Sequence, residues 1–122
     1  DLLARKIEDH QSQVWLVNTG WSGGPYGVGE RIKIAYTRAM VRSALDGSLA
    51  ETPVRTDPVF GLSVPTKCPD VPDHVLDPRS TWDDQSAYDA QAGMLAAMFE
   101  KNAEAFAEKV PAPVRTAGPA SA

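Results

Sequence analysis

The chain alternates short apolar bursts with polar and proline-rich stretches, and one long apolar stripe lies near its end. Leu2, Leu3 and Ile7 fall near one face of a helical wheel with charges opposite, so residues 1–11 predict a short helix. Val14-Trp15-Leu16-Val17 is a run of strand formers stopped by Asn18-Thr19-Gly20, and reads as a strand buried on both faces. Arg31-Ile32-Lys33-Ile34 alternates like a short strand with one wet face. Met40, Val41, Ala44 and Leu45 then form a helical stripe, with Thr37 placed to cap its start and Gly47, after Asp46, to end it.

From 48 to 80 the prolines at 53, 58, 65, 69, 72 and 78 interrupt every candidate helix. This stretch predicts extended, irregular chain laid over a surface, with a short strand at Val59-Phe60-Gly61-Leu62-Ser63-Val64. Thr81 with Asp84 resembles a capping box, and Tyr88, Ala92, Leu95, Met98, Phe99, Ala103 and Phe106 recur at three- and four-residue steps. A helix from about 83 to 108 with one continuous, core-facing apolar face is expected. Residues 1–110 read as one structured part and 111–122, rich in Pro and Ala, as a flexible tail.

These elements predict an α/β class, α+β within the chain itself, with an incomplete sheet and two main helices. Two strands form no stable sheet alone, so the pattern calls for a partner sheet. The first residue is Asp1 rather than methionine, which adds to the expectation of a piece of something longer.

Composition narrows the classes. The 122 residues are 43% hydrophobic and 23% charged, ordinary for a soluble protein of one domain or less. A net charge of −4 argues against a dedicated nucleic-acid binder. No apolar run approaches the roughly 20 residues that span a bilayer, so no membrane partner is expected. The single cysteine, Cys68, fits a reducing compartment and reads as an incidental thiol in a loop.

The densest candidate chemistry is Gly20-Trp21-Ser22-Gly23-Gly24-Pro25-Tyr26-Gly27-Val28-Gly29, with five glycines in ten residues. The bulky Trp21 and Tyr26 make it an ordered loop rather than a linker. Gly24 to Gly29 has the outer spacing of a phosphate-binding loop, but the Lys and Ser or Thr that should follow are Glu30 and Arg31. It is therefore not a P-loop of the Walker type. Arg31, Lys33 and Arg38 follow closely and offer either a phosphate- and base-gripping set or a solvated basic stretch. His10 and His74 have no ligand-spaced neighbours, so no metal site is expected. Asp83-Asp84 reads as helix-start charge, and Ser22 has no activating histidine; no catalytic set is visible.

The string Val14 to Trp21, the glycines through Gly29, Arg31-Ile32 with Ile34, and Thr37-Arg38-Ala39 together resemble one family, the ATP-dependent phosphoenolpyruvate carboxykinases. Leu45-Asp46-Gly47-Ser48-Leu49 and Leu76-Asp77-Pro78-Arg79-Ser80-Thr81-Trp82 are similar to that family's later sections, and the resemblance runs from Leu2 to about Phe106. It implies the carboxy-terminal part of the family's nucleotide-binding domain. It also implies a cytoplasmic, gluconeogenic lyase that converts oxaloacetate and ATP to phosphoenolpyruvate, ADP and CO₂ with Mg²⁺ and Mn²⁺. The family's P-loop, metal ligands and main oxaloacetate contacts lie upstream of the matched region, so the 122 residues alone are expected to be inactive and to need the upstream remainder of the chain. What carries over is the adenosine end of the ATP site, at Arg31, Ile32 and Thr37. Many members have Lys where Glu30 stands, which puts a reversed charge beside the nucleotide. The alternatives are a stand-alone nucleotide-binding or interaction module derived from that fold, and a chain that self-associates through the apolar face of its last helix.

Overall fold

The computed structural model describes residues 2–119, so Asp1 and the last three residues of the expected tail lie outside the described residues. Helix α1 (Leu2–His10) is followed by irregular chain, then by strands β1 (Trp21–Ser22) and β2 (Glu30–Arg31). Helix α2 (Ile34–Leu45) leads through a 3₁₀ turn (Ser48–Glu51) into strands β3 (Val54–Thr56) and β4 (Ser63–Pro65). Two more 3₁₀ turns (Asp73–Leu76 and Pro78–Thr81) precede helix α3 (Gln85–Glu104) and a short helix α4 (Ala112–Arg115). The architecture is mixed, with helices beside two separate two-stranded antiparallel hairpins.

Helix α2 begins earlier than its sequence suggests. Lys33 occupies the N-cap with no side-chain hydrogen bond, and Thr37 sits in the first turn with its N–H bonded to the Lys33 carbonyl at 3.2 Å. Ile34, expected in a strand, thus opens the helix. The other end follows the prediction: Asp46 is the C-cap, and Gly47 takes φ 83°, the left-handed conformation that glycine tolerates best.

The core is small. Ala39, Leu49, Cys68 and Val71 form its buried centre, and Trp15, Tyr36, Met40, Ala44, Val75 and Leu76 pack around it. Cys68 is buried in this core and bridged to Val71, rather than lying free in a loop. The proline-rich segment packs on this chain's own α2 and holds the β3–β4 hairpin, so the strand expected from 59 begins only at Ser63; the hairpin is closed by a turn at Asp57, whose carboxylate accepts from the N–H groups of Val59 and Phe60.

Two expectations fail for one physical reason. Val14-Trp15-Leu16-Val17 is not a strand: Trp15 packs on the core, but Leu16 is 84% exposed. Among the described residues no strand edge is offered to this run, and an unpaired strand has no ladder to hold it. Likewise α3, which ends at Glu104 and not near 108, buries only Ala92 and Ala96, while Leu95, Met98 and Phe99 on it and Phe106 just past it remain exposed. The periodicity is real, but the described chain has too little surface to cover it. The total exposed area of 9351 Å² makes the same point, since a compact monomer of 13.1 kDa exposes about 6400 Å².

Candidate nucleotide site

The glycine-rich loop is the turn of the first hairpin. Trp21 pairs with Arg31 and Ser22 with Glu30, and the Ile32 N–H reaches the Gly20 carbonyl at 3.1 Å. The loop closes on itself where the N–H groups of Val28 and Gly29 both donate to the Pro25 carbonyl at 3.0 Å. Gly29 is sterically required: a Cβ there would lie 2.5 Å from the carbonyl oxygens of Gly24 and Ser22. The ring of Tyr26 stands edge-on to Trp21, 5.1 Å between centroids, which orders the loop as its bulky residues suggested.

This hairpin forms one wall of an open cleft of about 620 Å³, within the range of small-ligand sites. Arg31 and Ile32 line it, with Glu30, Lys33 and Tyr36 beside them. The opposite wall comes from far along the chain, with His74, Val75, Ser80, Thr81 and Asp83. Lys33 Nζ sits 5.6 Å from the centre of the Tyr36 ring, a cation–π arrangement. Arg31 is exposed and enters no ion pair among the described residues, so its guanidinium plane is open to a ligand. Ile32 is half-buried and its N–H is engaged by Gly20, leaving an apolar side chain and a carbonyl to offer.

Thr37 does not join them in the cleft. It lines a separate, shallow depression on α2 with Arg38, Val41, Arg42, Leu45 and Asp46. His74 belongs to the 3₁₀ turn Asp73–Leu76 and is exposed, as is His10 at the end of α1. Among the described residues no group of three or more His, Cys, Asp or Glu side chains comes together. The donors that Mg²⁺ or Mn²⁺ would need are not assembled by these residues.

The far wall was missed by sequence reasoning. The sequence offers Thr81 as half of a capping box, but Asp84 caps α3 by itself, accepting from the N–H groups of Ser86 and Ala87 at 2.9 and 3.1 Å. A bond from the Ser86 hydroxyl, together with these two backbone bonds, holds the Asp84 carboxyl below its usual range. Thr81 bonds instead to the hairpin. Its hydroxyl accepts from the Gly23 N–H at 3.0 Å and from Ser22 Oγ at 3.3 Å, and donates to the Pro78 carbonyl at 2.7 Å. The only local signal was a hydroxyl residue just ahead of a helix, which fits a cap equally well.

Comparisons with known proteins place the whole chain in one family. The family described as phosphoenolpyruvate carboxykinase, in its ATP-dependent form, matches residues 1–74. The chain belongs to the ATP-dependent phosphoenolpyruvate carboxykinase family. It is 53% identical to the phosphoenolpyruvate carboxykinase (ATP) of Pelobacter propionicus over 117 residues, covering 96% of this chain and 22% of the relative. The enzymes of the same name from Rubrobacter xylanophilus and Thermus thermophilus are 52% and 50% identical over 118 residues, again 97% of this chain and 22% of each relative. The chain therefore spans about a fifth of the length of these carboxykinases, and the glycine hairpin, α2 and the 3₁₀ turn Asp73–Leu76 fall within or at the edge of the family match. No helix among the described residues is long and apolar enough to cross a membrane.

Proposed function

We propose that this chain is the carboxy-terminal section of an ATP-dependent phosphoenolpyruvate carboxykinase, and that it supplies the adenosine end of the ATP site. The observation that carries the reading is the cleft itself: Arg31, unpaired and exposed, stands next to half-buried Ile32 on a hairpin whose geometry the glycines impose. In the whole enzyme the reaction is decarboxylation of oxaloacetate with phosphoryl transfer from ATP, in a cytoplasmic, gluconeogenic role. The 9351 Å² of exposed surface, the uncovered apolar residues of α3 and the buried Trp15 Nε1 without a hydrogen-bond partner support a chain that packs against more of the same enzyme.

The contribution of these residues is positioning rather than bond-making. Arg31 stacks on the adenine ring or holds the ribose edge, and Ile32 supplies an apolar wall against the base. Thr37, on the neighbouring face of α2, reaches the nucleotide only if ATP extends past the hairpin toward that helix. Fixing one end of ATP fixes the direction in which its phosphates leave the cleft, and orientation is a principal contribution to phosphoryl transfer. The P-loop, the Mg²⁺ and Mn²⁺ ligands and the oxaloacetate contacts come from the remainder of the enzyme.

The test is Arg31→Ala in the complete enzyme, followed by phosphoenolpyruvate formation at varied ATP and varied oxaloacetate. The KM for ATP should rise roughly tenfold, the loss of one charge-assisted or stacking contact, with the KM for oxaloacetate little changed. A rise confined to oxaloacetate would place Arg31 on the wrong substrate.

A further inference from the structure

Thr81 is joined to the nucleotide-facing hairpin across 58 residues of chain. Its hydroxyl is fully used: one donated bond to Pro78, and two accepted, from Gly23 and Ser22. Those two partners sit at the start of the glycine loop, and Ser22 pairs directly with Glu30, the neighbour of Arg31. The approach is close from the backbone side as well. Gly23 has φ 79°, and a Cβ there would come within 3.1 Å of the Thr81 carbonyl oxygen. Thr81 itself rests on a rigid support. The 3₁₀ turn Pro78–Thr81 is gripped by α3, because Arg79 bonds both carboxylate oxygens of Asp89 at 2.8 Å and also reaches Gln85. A continuous set of contacts thus runs from α3 through Arg79 and Thr81 to Gly23, and across the hairpin to Arg31.

We infer that Thr81 is a positioning residue for the nucleotide site, setting the height and tilt of the glycine hairpin and so where the Arg31 guanidinium stands. The inference rests on the reading of this cleft as the ATP site. Without the Thr81 hydroxyl, the Gly23 N–H and Ser22 Oγ lose their acceptor, and the base of the hairpin is held by its own two-residue ladder and the Ile32–Gly20 bond, with no hydroxyl tie to the far wall. The hairpin then samples positions in which Arg31 no longer meets the nucleotide. The loss falls on ATP binding and not on the chemical step.

The experiment compares T81V, T81S and Arg31→Ala with the parent in the complete enzyme, reading kcat, the KM for ATP and the KM for oxaloacetate. T81V keeps the shape and removes the hydroxyl; T81S keeps the hydroxyl. The expected result is a KM for ATP raised roughly fivefold in T81V, the factor that the net worth of about one neutral hydrogen bond represents when part of what the three lost bonds contribute is recovered by water, with kcat and the KM for oxaloacetate within about twofold of the parent. T81S should stay close to the parent. If T81V does not fold, G23A presses on the same contact from the loop side and should show the same selective rise. An unchanged KM for ATP in T81V and in G23A, while Arg31→Ala raises it, overturns the positioning role and leaves the ATP site standing. Equal rises in T81V and T81S overturn it too, because the hydroxyl would then not be the cause. If Arg31→Ala itself leaves the KM for ATP unchanged, the site reading fails, and the role of Thr81 fails with it.

Discussion

Arg79 holds Asp89 through two parallel hydrogen bonds, Nε to Oδ1 and a terminal nitrogen to Oδ2, each 2.8 Å long. This fork fastens the 3₁₀ turn Pro78–Thr81, and with it the far wall of the proposed nucleotide cleft, to the first turns of α3. Both side chains are about half exposed, so the fork contributes more to geometry than to stability.

The pH dependence of that fork follows from its charges. The hydrogen bond from Arg79 holds the Asp89 carboxyl below its ordinary value of 3.8. A carboxylate with a lowered folded-state pKa contributes stability above its unfolded value, and loses it as the pH falls through the folded one. Asp89→Asn in the complete enzyme should therefore lower Tm slightly, by about 1 °C, at neutral pH. The difference should fade as the pH drops through the lowered folded-state value, where the parent's own carboxyl becomes protonated. Thermal melts across pH 3 to 7 check it; a gap that widens on acidification contradicts the assignment.

Two glycines should respond to alanine in opposite directions. At Gly29 a methyl group meets the backbone oxygens of Gly24 and Ser22 at 2.5 Å, so Gly29→Ala must spread the hairpin, at a cost of about 2 kcal/mol. At Gly93, in the middle of α3, a methyl group meets nothing within 4 Å, so Gly93→Ala should stabilise by about 1 kcal/mol. Denaturant melts of the two variants separate these outcomes. The same Gly29→Ala variant should also weaken ATP binding, whereas Gly93→Ala should not.

Glu30 lines the same cleft as Arg31 and carries the opposite charge. In an exposed, salt-screened position its repulsion of a polyanionic nucleotide is modest. Glu30→Lys in the complete enzyme should lower the KM for ATP roughly threefold at low ionic strength, with the effect shrinking as salt is added. Steady-state kinetics at two salt concentrations measure it, and an unchanged KM at low salt would show that the Glu30 side chain stays clear of the phosphates.

How much of this was legible in the sequence depended on the range of the interactions. The end of α2 was readable because Asp46 and Gly47 form a local stop, and the body of α3 because its apolar period is local too, although its cap is Asp84 and not Thr81. Thr37 misled as a cap because the helix starts at Ile34, where only the backbone of Lys33 is available to cap it. The run Val14 to Val17 misled because strand formation depends on a pairing edge, which a one-dimensional pattern does not contain. At the site, Arg31 and Ile32 came from the resemblance together with their place after the glycines. Thr81 could not be found that way: its partners lie 58 and 59 residues earlier, and no spacing rule links a hydroxyl before α3 to a glycine N–H on the hairpin.

Hydrogen exchange of the complete enzyme, with and without ATP, tests the central claim most directly. ATP should slow exchange at residues 20–33 and at 78–83, the two walls of the cleft, while α4 (Ala112–Arg115), remote from it in sequence and absent from its lining, exchanges at the same rate in both states. Protection by ATP that leaves residues 20–33 unchanged would contradict the claim that this hairpin holds the adenosine end of the nucleotide.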